Sequence, residues 1–88
     1  MNFKAAYDTL DNPKNVLFSD LLKIATEAFG QPRVKGTSHH VFKVPWQGQP
    51  WVNIQREGKH AKPYQVKQVL GALKKLEEIQ NEKRKADK

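Results

Sequence analysis

The sequence predicts an α+β domain in which a helix, two or three antiparallel strands and a second helix follow one another. Three observations predict it. Apolar residues recur at spacings of three and four on either side of the middle of the chain, as they do on the buried stripe of a helix. Two short segments between them alternate in polarity, as a strand with one buried face does. Proline and glycine clusters separate the periodic stretches.

Residues 1–15 read as a weakly ordered lead-in. Phe3, Ala6, Tyr7 and Leu10 stand at helical spacing and admit a short helix, and Asp11-Asn12-Pro13-Lys14-Asn15 forms a turn cluster. The folded domain is expected over 16–80. Its first helix carries Phe18, Leu21, Leu22, Ala25, Ala28 and Phe29 on one face. Ser19 is the expected N-cap, because its hydroxyl can accept from a first-turn amide. Gly30 stands where a left-handed C-terminal cap belongs, and Pro32 prevents continuation.

Arg33 to Lys35 reads as a short edge strand, and Gly36-Thr37-Ser38 as the turn after it. From His39 to Val44, His40, Phe42 and Val44 share one side, with His39, Val41 and Lys43 on the other. Pro45 to Pro50 reads as a hairpin loop, with Trp46 as a lid over the sheet edge. Trp51 to Gln55 alternates again, Val52 and Ile54 opposite Trp51, Asn53 and Gln55. Arg56 to Lys62 reads as a polar loop around Gly58. Pro63 suits the first turn of the last helix, whose stripe is Val66, Val69, Leu70, Leu73, Leu76 and Ile79. Gly71 weakens its interior by about 1 kcal/mol relative to alanine. Residues 81–88 read as a basic tail that frays. With both helices on one face of the sheet, the set His40, Phe42, Val44, Val52 and Ile54 meets them. The set His39, Val41, Lys43, Trp51, Asn53 and Gln55 faces solvent.

Eighty-eight residues suffice for one core and no second lobe. The chain has no cysteine, and a secreted domain this small usually needs disulfides, so a cytoplasmic protein is expected. Lys4 and Asp8 interrupt any signal-peptide core in the first ten residues, and no apolar run approaches a bilayer's thickness, so no membrane partner is expected. Sixteen Lys and Arg against nine Asp and Glu leave a formal charge of +7, of which residues 83–88 hold +3. A field of that sign draws polyanions, and nucleic acid is the commonest one.

The segment Gly36 to Phe42 carries the most chemical information. His39 and His40 are adjacent on a strand and point to opposite faces, so they cannot chelate one metal together, and only His60 remains. No metal and no cofactor is expected, since neither a cysteine-based motif nor a phosphate-cradling glycine loop occurs. His40 falls on the inner face and reads as a core residue. His39 falls on the open face, where a histidine is either an ordinary surface residue or a proton-transfer group. The residues alone leave both readings open. Trp51 is either a stacking platform for an unpaired base or a cover for the hairpin edge. Lys59, Lys62 and Lys67 cluster with Arg56 around the start of the last helix. Free amides there attract phosphate, although a solvated helix start has the same composition. Lys74 and Lys75 read as solubilising charges.

Gly36-Thr37-Ser38-His39-His40-Val41-Phe42 resembles the Gly-Ser-His-His-hydrophobic-aromatic signature of the HicA-type mRNA-interferase toxins. Ala61 to Leu70, with its Lys62-Pro63 opening, resembles the start of that family's last helix. Asn12-Pro13-Lys14-Asn15-Val16 resembles the lead-in of one branch, so the resemblance spans about Asn12 to Glu78. It implies a double-stranded-RNA-binding-like fold and a toxin that cuts mRNA without a metal. It also implies a HicB-type antitoxin that covers the site. On this resemblance His39 is the catalytic residue; Lys35, Ser38, Lys43, Trp51, Lys59, Lys62 and Lys67, read from the residues themselves, are the candidate RNA contacts. The chain departs from the family at Gln55-Arg56-Glu57, where many members carry Pro-x-His, and in the Pro45–Pro50 loop. Two rivals share the composition: a non-catalytic RNA-binding module of the same fold, and a basic DNA-binding or ribosome-associated protein.

Overall fold

A computed structural model describes residues 1–36, 39–46 and 51–86, with side chains for all of these except Trp51 and residues 84–86. The chain is α+β. Its elements are α1 (Phe3–Thr9), a 3-10 turn (Pro13–Asn15), α2 (Phe18–Phe29), β1 (Arg33–Lys35), β2 (His39–Lys43), β3 (Trp51–Ile54), β4 (Arg56–Glu57), β5 (His60–Ala61) and α3 (Pro63–Ala86).

The three central strands form an antiparallel sheet in the order β1-β2-β3. Register pairs Val34 with His40, His40 with Ile54, and Phe42 with Val52. This is the parity that the alternation predicts. Phe42 and Ile54 are fully buried, and Val44 and Val52 nearly so. They join Phe18 and Leu21 of α2 and Val66, Val69 and Leu73 of α3 in one core. A one-residue slip would turn this whole set outward, so burial of one face holds the register. His40 is only half-buried, and its ring tilts against Phe18 at 5.3 Å between centroids. Val34 shares the inner parity yet is 55% exposed. The core takes in residues of β2 and β3 but none of β1, so the helices leave the edge strand uncovered.

The helix termini follow a different rule from the one expected at α2. Its N-cap is Leu17, not Ser19, and no side chain caps it. The amide of Phe18 instead donates to the Lys59 carbonyl at 3.0 Å. Burying Phe18 draws the helix start two residues earlier, and a distant backbone acceptor replaces the hydroxyl. At the other end Gly30 has φ 88° and its amide donates to the Thr26 carbonyl at 2.8 Å, a cap that the absence of a Cβ allows.

That distant acceptor lies in the turn of a second, two-stranded sheet. Arg56 to Lys62, read from the sequence as a loop, contains the hairpin β4–β5, with Arg56 opposite Ala61 and Glu57 opposite His60. Leu17 bridges His60, and the Ala61 amide donates to the Val16 carbonyl at 2.9 Å. The hairpin thus ties the entry to α2 to the entry to α3. Two-residue strands have no readable period, and their partner lies more than forty residues away in sequence.

Two further expectations are corrected. The lead-in is a helix packed into the core. Asn2 caps α1 by accepting from the Ala5 amide at 3.0 Å, and Ala6, Leu10 and Val16 are buried. The Tyr7 hydroxyl donates to Glu77 Oε1 of α3 at 3.0 Å. Burial, then that hydrogen bond and the negative charges of Glu77 and Glu78, push the phenol up to about 12. Residues 81–86, expected to belong to a basic tail, continue α3, which runs to Ala86. Lys75, read as a solvated charge, lies with its Nζ 4.9 Å from the centre of the Trp46 ring. Trp46 in turn meets Phe29 edge-on at 6.2 Å. The lid therefore closes over the end of α2.

Candidate functional site

The uncovered face of the main sheet is built by the opposite parity. Register puts Lys35 directly across from His39, Arg33 across from Val41, and Val41 across from Asn53. Directly opposed residues hold their Cβ atoms about 4.5–5.5 Å apart. Two rows result, Lys35–His39 and Arg33–Val41–Asn53. Gly36, with φ 66°, opens the turn after β1.

These five residues line an open concavity of about 530 Å³. Arg33, Lys35 and Asn53 are exposed, whereas His39 and Val41 are half-buried. Among the described residues the lining has two cations, an imidazole, a carboxamide and one aliphatic side chain, with no carboxylate. Fixed positive charge beside a low-dielectric wall concentrates anions. His39 begins β2 and pairs with Lys35 of β1, while pairing with β3 starts one residue later at His40, so the imidazole stands at the end of the ladder with the β1 register setting its place.

Of the candidate contacts, the concavity gathers His39 and Lys35. Lys43 is exposed on the same face but does not line it. Ser38 lies outside the described residues. Trp51 pairs through its backbone with Lys43, and its side chain lies outside them too. Lys59, Lys62 and Lys67 belong to the hairpin and the start of α3 and do not line the concavity. Lys59 is exposed beside Gly58 at the hairpin turn, and Lys67 is exposed on α3. Lys62 is half-buried, with its Nζ donating to Gln55 Oε1 at 3.2 Å. Gln55 also donates its amide to the buried Gln65 Oε1 at 2.6 Å. The Arg56 guanidinium lies 5.0 Å from the centre of the Phe18 ring.

Arg33 and Asn53 are the residues that sequence reasoning left out. Both were visible in part, Asn53 on the open parity and Arg33 on the edge strand. The missing information was the β1–β2 register that brings them to one place. A second depression, of about 380 Å³, lies between α1 and α2 and has a different chemistry. Its polar lining is Asn2, Thr9, Asp20, Lys23 and Glu27, without an imidazole.

Among the described residues no three His, Cys, Asp or Glu side chains gather in a group that could hold a metal ion. Among them, no helix is long and apolar enough to cross a membrane. Comparison of the chain with family models, with curated proteins and with solved structures returned no match.

Proposed function

We propose that the chain is a metal-independent endoribonuclease of the HicA toxin kind, with His39 as its proton-transfer group and mRNA as its substrate. The observation that carries the reading is the pairing of His39 with Lys35 inside an open concavity that Arg33 also lines and that has no carboxylate among its described residues. The resemblance of Gly36–Phe42 and Ala61–Leu70 to the family's motifs supports it. So does the succession α2-β1-β2-β3-α3, which is the order of a double-stranded-RNA-binding-like domain, here with α1 and a small hairpin added. On this reading the protein acts in the cytoplasm, and a HicB-type antitoxin of acidic character covers the concavity.

The chemistry needs only groups of the chain and water. Neutral His39 takes the proton of a ribose 2′-hydroxyl. The 2′-oxygen forms a bond to the adjacent phosphorus, and the bond from phosphorus to the 5′-oxygen breaks. The leaving oxygen takes a proton from water, which reaches the open site, and the hydroxide so formed takes the proton held by His39, restoring the neutral imidazole and the water. The products are a 2′,3′-cyclic phosphate and a 5′-hydroxyl. Lys35 stands across from the histidine, where it stabilises the charge that builds on the non-bridging oxygens.

The test is cleavage of purified mRNA by the wild type and by His39→Ala, with and without EDTA. The expected result is loss of about 100- to 10,000-fold in rate for the variant and no effect of the chelator. Equal cleavage by the two proteins would remove His39 from the reaction. Loss of cleavage only in EDTA would mean a metal-dependent enzyme. Retained RNA affinity with no cleavage by the wild type would leave the binding module as the reading.

A further inference from the structure

We propose that Arg33 and Asn53 are the specificity-determining contacts of this face, Arg33 anchoring a phosphate of single-stranded RNA and Asn53 reading the edge of an unpaired base. The inference rests on the reading of the concavity as an RNA site and adds which nucleic acid it takes and how.

Three observations point to a single strand laid on the sheet. The first is the distribution of charge between the two sides of the molecule. Arg33, Lys35 and Lys43 stand exposed on the open face, and among the described residues no acidic side chain lines its concavity. The helical side is mixed in sign: α2 exposes Asp20, Lys23 and Glu27, two acids to one base, and α3 exposes Lys67, Lys74, Lys75 and Lys83 beside Glu78 and Glu82. A duplex lies against a broad surface and is held largely through its phosphates, which the acids of α2 repel. The open sheet face offers cations without that opposition.

The second observation is the size and lining of the concavity. About 530 Å³ falls within the roughly 300–1,000 Å³ of pockets that hold small ligands, ample for one nucleotide unit. Val41 supplies its apolar surface, flanked by Arg33 on one neighbouring strand and Asn53 on the other. A base splayed from its neighbours can lie over Val41, whereas a paired base within a duplex cannot reach it. Asparagine presents one acceptor and two donors in a plane, which suits hydrogen bonding to a base edge.

The third is spacing. Arg33 and Lys35 project to the same face two residues apart, roughly 7 Å along the strand. That distance lets each cation take its own phosphate of an extended backbone, with Lys35 at the reacting phosphate beside His39. Arg33 then holds the neighbouring one. A guanidinium does this in two-point fashion, which an ammonium cannot.

The experiment is fluorescence anisotropy with the full chain carrying His39→Ala, so that RNA is not consumed. The probes are labelled unstructured RNA oligonucleotides of different base composition and a duplex of matched length. The expected result is about tenfold tighter binding of single strand than duplex. Adding Arg33→Gln should weaken every single strand about fivefold and flatten the salt dependence by about one phosphate contact. Adding Asn53→Ala should leave the best-bound composition weaker and bring the others level with it, a change of selectivity rather than of overall affinity. Arg33→Lys, which keeps the charge, should recover the salt dependence but only part of the affinity.

Duplex bound as tightly as single strand, or compositions ranked the same with and without Asn53, would overturn the inference. Absence of RNA binding at moderate salt would overturn it too and leave an acidic protein as the occupant of the face. The two readings fail separately. His39-dependent cleavage by the wild type, with Arg33→Gln and Asn53→Ala indistinguishable from their parent, leaves the nuclease and removes these contacts. Composition-selective binding lost with Asn53, without cleavage by the wild type, leaves the contacts and removes the nuclease.

Discussion

Lys35 lies exposed on β1 directly across from His39, in a concavity that Arg33 also lines. Lys62 lies half-buried before α3, its Nζ donating to Gln55, while Arg56 close by rests over the Phe18 ring. Both regions are basic, and a sequence shows them as similar clusters of Lys and Arg beside a glycine. The fold employs them differently. At the hairpin, cationic side chains are drawn into the joint between α2 and α3, where the Lys59 carbonyl of the hairpin turn also supplies the acceptor for the first amide of α2. At the sheet face they flank an imidazole across a surface that no helix covers. Positive charge in a small basic domain is therefore no measure of its contact surface. What distinguishes the two regions is whether the side chains are engaged within the chain.

The largest effects should separate the regions completely. His39→Ala is expected to lower RNA cleavage by about 100- to 10,000-fold with the urea midpoint unchanged. His40→Ala, next to it in sequence, should do the reverse, because its ring packs on Phe18. It should lower stability by about 1 kcal/mol and leave the rate per folded molecule intact. A loss of cleavage in both variants, at equal folded fraction, would join the two faces of β2 in one site.

Phe18 tests the joint itself. It is buried, with Arg56 over its ring and His40 tilted against it, and its amide is held by Lys59. Phe18→Ala should cost about 3–5 kcal/mol. The comparison is best made in a Gly71→Ala background. Gly71 is exposed on α3 and a Cβ there meets nothing within 4 Å, so that change should add about 1 kcal/mol. Chemical denaturation of the double variant measures the difference, and a loss below about 1 kcal/mol would mean that the joint is not structural.

The two regions also differ in how readable they were. The main sheet and its helices were legible because each has a period, two for β2 and β3 and near 3.6 for α2 and α3, and burial enforces both. His39 was assigned to the open face by parity alone. The hairpin was illegible because β4 and β5 are two residues long and their third partner is the segment before α2. The N-cap of α2 was misplaced for the same reason, since its acceptor lies in that hairpin. Arg33 and Asn53 needed a register that no local pattern specifies for a three-residue edge strand with every residue exposed. The lead-in had the right spacing, but it is the burial of Ala6 and Leu10 in the core and the Tyr7–Glu77 hydrogen bond that make it part of the domain.

Gln65 gives a smaller and more local test. It is buried, and its Oε1 accepts from the Gln55 amide where β3 leads into the hairpin. Gln65→Leu keeps the volume and removes the acceptor, leaving a donor without its partner at a cost of about 1–3 kcal/mol. Urea unfolding measures the total, and amide exchange at Gln55 should quicken more than at Phe42. RNA affinity should not change. A fall in affinity with unchanged exchange would place Gln65 in the contact surface and erase the distinction between the regions.

The smallest effects come from the two lysines, and they cut most finely. Lys35→Gln removes a cation that faces the proposed phosphate, so RNA affinity should fall several-fold and the slope of log affinity against log salt should flatten by about 0.7, the value for one contact to a single strand. Its stability should stay within about 0.5 kcal/mol, as for most exposed positions. Lys62→Met removes one charge as well, so any effect of net charge alone is the same in both variants. Its packing along the aliphatic stem is retained and its hydrogen bond to Gln55 is lost, which should cost about 1 kcal/mol. Its salt slope should match the wild type, because a charge that does not touch the phosphates releases no counterion from them. Parallel titrations at several salt concentrations therefore compare position at constant charge. Equal flattening in the two variants would mean that RNA extends from the sheet face to the start of α3, and the hairpin lysines would then join the site as their clustering with Arg56 in the sequence suggests.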